Sequence, residues 1–219
     1  MLIHPWDATV DEQEWRAWLD TGERFGALAI PHMDLGCAPF VVPTHFTIGD
    51  GKLLLHLAKP NPVWPHILAA REVRLAVTSD YAYIPSTWRA KAGGPDEDGV
   101  PTSYYASVQF VCSVEVVDEA EEKAEILRRQ LADVQPEGGH QDVSTTEGRY
   151  ARMLPGLRGL RLHILSVDAK FKYDDHNPIE HRERVAVNLD ARGRGLDRGA
   201  ARQQRRRLDA MGDWELRKG

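Results

Sequence analysis

Only two cysteines occur among the 219 residues. They stand far apart, at Cys37 and Cys112, so neither a C-x-x-C redox or zinc pair nor a disulfide framework is indicated, and both read as plain core or loop thiols. No apolar run is long enough to cross a bilayer. The segment Met1 to Asp7 has neither a basic leader nor an apolar stretch, which predicts a cytoplasmic protein with no membrane partner. No G-x-G-x-x-G follows a strand-like stretch, so a doubly wound dinucleotide fold has little support. Internal repeats, low-complexity tracts and a helix-turn-helix pattern are also missing. The net charge of -5 argues against general binding of polyanions.

The residues present suit a folded domain with an appendage. A 42% hydrophobic content is enough to bury a substantial core, and we place a single domain over residues 1–190 and a basic helical tail over 191–219. From Asp190 onward nine Lys and Arg stand against five Asp and Glu. Such an island either forms a solvated helix face, meets an acidic neighbouring subunit, or contacts nucleic acid.

Apolar Trp15, Trp18 and Leu19 at helical spacing behind Asp11 predict an opening helix over 10–19. Strands are expected at 25–30, at 38–48 and, after the Asp50-Gly51 turn, at 52–58. Asn61 as cap and Pro62 in the first turn predict a helix over 61–70. A strand at 73–79 follows, with 81–88 as its extension or a structured loop. The polar, glycine-rich stretch 92–99 predicts a mobile connection. Alternation predicts a long strand over 103–118, with Val108, Phe110, Cys112, Val114 and Val116 on one face. Residues 119–134 read as the clearest helix, 146–154 as another, 160–173 as the last strand, and 179–189 and 198–211 as closing helices. Hairpin-linked strands with helices between or after them favour a barrel-like antiparallel sheet with peripheral helices, an α+β arrangement.

If Asp50-Gly51 forms a two-residue hairpin loop, residue 49 pairs with 52, 48 with 53, and so outward to His45 with His56. Facing imidazoles about 5 Å apart at Cβ can share a ligand or a metal, or can form a hydrogen-bonded pair at a sheet margin. Beyond His56 come Lys59 and then Asn61 at the expected helix start, so a cation and backbone N–H groups converge in a candidate anion site. A cofactor phosphate would lie there, with a ring system back along the sheet near Thr44, His45 and His56. Trp64 reads equally as core packing.

Several blocks resemble the PaiB-type FMN-binding negative transcriptional regulators, split-barrel proteins related to pyridoxamine phosphate oxidases. Pro43-Thr44-His45-Phe46 is similar to the family's T-H-L-P. His56-Leu57-Ala58 with Asn61-Pro62-Val63-Trp64 is similar to H-x-A-x-x-N-P-x-W. The stretch Tyr81 to Trp88, the stretch Val100 to Tyr105, and Lys170-Phe171-Lys172 extend the likeness in order, as do Pro178 and Arg182. The resemblance implies a homodimeric FMN-binding split β-barrel with flavin sites between subunits. It places Thr44, His45, His56, Leu57, Ala58, Lys59, Asn61, Trp64, Tyr83, Thr102 and Lys172 toward the cofactor. The sequence departs from the family at Ser103-Tyr104, at Asp80-Tyr81 and at Asp174-Asp175, where two carboxylates are expected to weaken the positive field near the site.

Met153-Leu154-Pro155-Gly156 and Phe171-Lys172 are also similar to the haem-dependent piperazate synthases, which close an N–N bond. That resemblance implies haem b with His56 as axial ligand and His45 as its neighbour. Asp174-Asp175 would then recognise a substrate amine or form a solvated turn. The readings are therefore a flavin-linked oxidoreductase or regulator carrying FMN and acting on a small molecule, a haem enzyme, and a DNA-binding regulator. No resident metal ion and no general base is assigned.

Overall fold

The computed structural model of the chain describes residues 1–22, 24–91 and 94–212. Ala92 and Gly93 of the expected mobile connection, and residues 213–219 of the expected tail, lie outside the described residues. In chain order the elements are α1 (Glu12–Thr21), β1 (Phe25–Ile30), β2 (Phe40–His45), β3 (Thr47–Gly49), β4 (Lys52–Ala58), α2 (Trp64–Ala69), β5 (Val73–Ile84) and α3 (Ser86–Arg89). There follow β6 (Thr102–Val117), α4 (Ala120–Val134), α5 (Gly148–Met153), β7 (Leu157–Lys172), α6 (Ile179–Arg192) and α7 (Asp197–Met211). Seven strands form one sheet in the order β2-β1-β5-β6-β7-β4-β3. Among the described residues, no helix is long and apolar enough to cross a membrane.

The chain divides into two units. One comprises residues 22–77 and 109–167, the other 1–21, 78–108 and 168–219. In the first, Asp50 and Gly51 both take positive φ, 52° and 72°, the backbone that a tight hairpin turn needs and that Asp-Gly adopts at low cost. Thr47 pairs with Leu54, Ile48 with Leu53 and Gly49 with Lys52. The expected single strand over 38–48 is broken at Phe46, whose side chain is buried and whose N–H donates to Arg24 O at 3.0 Å. Before that break the chain pairs with β1 instead, His45 opposite Phe25 and Phe40 opposite Ile30. Burying a phenylalanine ring against Phe110, with centroids 6.4 Å apart, outweighs an unbroken ladder.

Leu53, Leu55, Leu28, Leu75, Phe110 and Leu160 make the centre of this unit. Helix α4 starts where Glu119 accepts from the N–H groups of Glu121 and Glu122. It lays Ala124 and Leu127 on Val143 and Leu154, and Ile126 on Leu54 and Val117. The expected face of β6 is buried from Tyr104 to Cys112, but Val114 and Val116 are only half-buried and Val117 takes the inward position.

In the second unit Asp11 Oδ1 accepts the Glu14 N–H at 3.0 Å and starts α1. The helix buries Trp15, Trp18 and Leu19, and Trp18 meets Phe171 edge-on at 5.8 Å. The stretch 81–88 continues β5 as far as Ile84 and then turns into α3. Helices α6 and α7 pack together, and Gly193 in the left-handed region at φ 58° ends the first of them.

Candidate functional site

The candidate residues fall into two groups, one in each unit. In the first unit, Thr44, Leu57 and Trp64 are buried, whereas His45, Ala58 and Lys59 are exposed and His56 and Asn61 are half-buried. The helix expected from Asn61 begins only at Trp64 and has six residues, with Pro65, not Pro62, in its first turn. Asn61 is used differently. Its Oδ1 accepts the Val63 N–H at 3.2 Å, and its own N–H donates to Ala58 O at 3.0 Å. The Lys59 N–H donates to Gly156 O at 2.7 Å. The N–H groups of Lys59, Asn61 and Val63 are therefore engaged within the chain, while the Lys59 side chain is exposed. Trp64 is packed into the unit: its indole N–H donates to Ala58 O at 3.0 Å, and the Arg158 guanidinium covers its ring at 4.7 Å.

The rings of His45 and His56 lie edge to face with centroids 5.6 Å apart, although the β3–β4 ladder stops two pairs short of them. His56 Nδ1 lies 2.8 Å from Gln130 Oε1, while Gln130 Nε2 donates to Leu54 O at 3.4 Å. With the amide oriented this way, Nδ1 must carry the imidazole proton, which leaves a lone pair on Nε2. Burial lowers the His56 pKa, the Gln130 contact opposes that shift, and the neighbouring His45 adds to it. The result is a neutral imidazole of fixed tautomer that offers one acceptor or ligand atom. Gln130 was not among the sequence candidates; it lies on the buried face of α4, and only the packing of that helix brings it to the strand.

The second unit holds Tyr83, Thr102 and Lys172. Tyr83 is exposed. Lys172 Nζ donates to Thr102 Oγ1 at 2.6 Å and to Ser103 O at 3.1 Å. Burial lowers its pKa, while Asp174 and Asp7 oppose the shift. The Asp174-Asp175 pair is neither a solvated turn nor an uncompensated negative patch. Both side chains are buried; Asp174 is paired with Arg89 and accepts from Tyr104 Oη at 3.1 Å. Asp175 is paired with Arg182 at 2.6 Å and with Arg207. The expected loss of positive field is thus met by arginines of the same unit. Arg89, Lys91, Glu180, His181 and Arg184 also line a polar cavity of about 430 Å³ beside the start of α6, which the sequence reading missed.

The basic run near the C-terminus is likewise engaged. Arg205 pairs with Asp190 at 2.5 Å, Arg206 with Glu14 at 2.9 Å, and Arg207 is fully buried. Much of the charge expected to face solvent or a polyanion is therefore neutralised inside the unit.

Residues 1–166 match the family described as "Putative FMN-binding domain". The chain belongs to this FMN-binding domain family. Among curated protein sequences, none matches this FMN-binding family member. Solved structures do. The flavocytochrome Anf3 from Azotobacter vinelandii is 18% identical with a TM-score of 0.58, covering 76% of this chain and 70% of its own. The FAD and haem binding protein from Mycobacterium smegmatis is 15% identical with a TM-score of 0.56, covering 74% and 72%. The conserved hypothetical protein Rv2991 from Mycobacterium tuberculosis is 15% identical with a TM-score of 0.55, covering 78% and 90%. At these identities the likeness establishes the fold, an α+β split-barrel-like arrangement.

Proposed function

We propose that the chain is a flavin-linked redox protein that holds FMN, akin to the PaiB-type regulators that it resembles. The observation that carries this reading is the family match over residues 1–166. The accessible side chains fit such a ligand. His56 Nε2 offers an acceptor to the imide N–H of an isoalloxazine, the small exposed Ala58 admits a flat ring to the strand end, and Lys59 supplies a cation for the phosphate. Thr102 and Lys172 form a second donor set. We further propose a cytoplasmic homodimer in which the two subunits complete each site. When bound, FMN supplies the hydride or electron chemistry, and the protein's part is to orient it and exclude water. The test is the absorbance spectrum of the purified chain, with chromatography of the heat-released cofactor. Two broad flavin bands and FMN in the supernatant support the reading; a colourless protein that does not bind added FMN overturns it.

One observation favours a second reading, haem b. A metal-ligating histidine almost always donates its other ring N–H to a fixed acceptor, and Gln130 is such an acceptor for His56. In this reading His56 Nε2 would hold the haem iron, with His45 beside it. It predicts a sharp Soret band that His56→Ala removes without loss of folded structure. Flavin bands with no Soret band in haem-supplemented protein rule it out.

A further inference from the structure

The connection between β1 and β2 contains His32, Asp34 and Cys37, and one donor atom from each lies within 4.8 Å of the others. We propose that this loop binds a borderline divalent cation, zinc being the fit, through the His32 imidazole, the Asp34 carboxylate and the Cys37 thiolate. The mixed nitrogen, oxygen and sulfur set excludes magnesium and calcium, which take oxygen donors, and suits zinc. Three protein donors leave one tetrahedral position for water or a small ligand. That fourth position is open to exchange, unlike those of a closed structural site.

The loop is organised for this. Zinc bonds of about 2.0–2.3 Å require tetrahedral donors to sit roughly 3.3–3.8 Å apart. His32 Nδ1 and Asp34 Oδ2 already lie 3.7 Å apart. Closure onto an ion therefore asks most of Cys37, which is exposed and free to turn. The donors fall within one six-residue segment, so little chain entropy is lost in bringing them together. Gly36 at φ 89° and the Cys37 N–H to Asp34 O bond of 3.3 Å turn the chain between the last two donors. His32 is held by ring contacts with His66 at 4.4 Å and Phe40 at 5.5 Å, and His66 Nδ1 accepts the Met33 N–H at 3.1 Å. His66 is thus a positioning residue that ties the loop to α2. At present His32 Nδ1 accepts the Asp34 N–H at 3.0 Å; a cation replaces that proton at the lone pair. The thiol proton of Cys37 is released to solvent as the metal–sulfur bond forms.

Cys112 does not compete. It is buried, and burial pushes its thiol up to about 12. Any thiolate–metal signal from the folded chain therefore reports Cys37. The experiment titrates the tag-free full chain with cobalt(II), the spectroscopic stand-in for zinc. The expected result is a near-ultraviolet thiolate-to-cobalt charge-transfer band with visible bands of tetrahedral intensity, all displaced by zinc. Cys37→Ser removes the charge-transfer band, and His66→Ala weakens binding roughly 10- to 100-fold, as loss of an outer partner does. Zinc also slows alkylation of Cys37 in the wild type. Far-ultraviolet circular dichroism confirms that each variant is folded. No charge-transfer band in the folded wild type, a band that survives Cys37→Ser, or an alkylation rate indifferent to zinc overturns the proposal.

Discussion

Arg182 Nη2 donates to Asp175 Oδ1 at 2.6 Å, and neither side chain is exposed to solvent. Arg207 Nε donates to the other oxygen of the same carboxylate. One buried anion thus holds two buried cations, one on α6 and one on α7. Glu14 balances the charge by accepting from Arg207 Nη1 at 2.7 Å. Removing one member of a buried ion group leaves the others uncompensated, which costs about 3–5 kcal/mol. Asp175→Asn is expected to lose stability of that order in urea unfolding, and a loss under about 1 kcal/mol would show that the cluster is not held as described.

The arginines of the C-terminal run should separate by burial. Arg207 bonds to Asp175, to Glu14 and to the carbonyls of Trp6 and Ala8, both at 3.0 Å. Arg205 and its partner Asp190 are 46% and 44% exposed. Exposed pairs are worth less than about 1 kcal/mol. Arg207→Ala therefore unfolds at markedly lower urea concentration than wild type, whereas Arg205→Ala shifts the midpoint little. Equal shifts would contradict the assignment of Arg207 as the clamp on the N-terminal segment.

Local signals made β1, the Asp50-Gly51 turn and α4 legible, because each depends on neighbours in sequence: alternation, a dipeptide that accepts positive φ, and a run of helix formers behind Glu119. The break at Phe46 was not legible, since it depends on a ring that packs with Phe110 far along the chain. Asn61 misled because a cap and an isolated Asx turn use the same side-chain bond, and only the backbone beyond Val63 distinguishes them. The Asp174-Asp175 pair looked like excess charge because two of its partners, Arg89 and Arg207, come from distant segments. The proximity of His45 to His56 followed from hairpin arithmetic, but the tautomer of His56 required Gln130 on another element.

Gly199 on α7 sits against the Asp80 carboxylate. A Cβ at this position would lie 2.1 Å from Asp80 Oδ1. Asp80 cannot easily yield, since its other oxygen accepts the Trp18 Nε1–H at 2.8 Å and its backbone is held at φ 52°. Gly199→Ala would ordinarily favour a helix by about 1 kcal/mol. Here overpacking is expected to outweigh that gain, for a net loss of about 1–3 kcal/mol. Asp80→Gly removes the obstructing carboxylate and accepts positive φ, so the double variant should be less destabilised than the two single losses added together. Strict additivity in urea unfolding would refute the contact.

His56 links stability to pH with a definite sign. Burial lowers its folded pKa below the ordinary 6.5, against the pull of Gln130 and with the push of His45. Between the folded value and 6.5 the unfolded chain binds the proton more readily than the native one, so protonation favours unfolding. The stabilising contribution of neutral His56 is present above 6.5 and is lost as pH falls from there toward the folded pKa. His56→Gln cannot titrate, so the fall in urea midpoint between pH 7 and pH 5.5 should be shallower in the variant than in wild type. The His56 ring resonance should also titrate at lower pH than the ordinary histidine value of 6.5. If wild type and variant lose stability in parallel across that interval, or if His56 titrates at or above 6.5, the ring is not the buried neutral group described. The reading of its Nε2 as a standing acceptor for a cofactor would then fail as well.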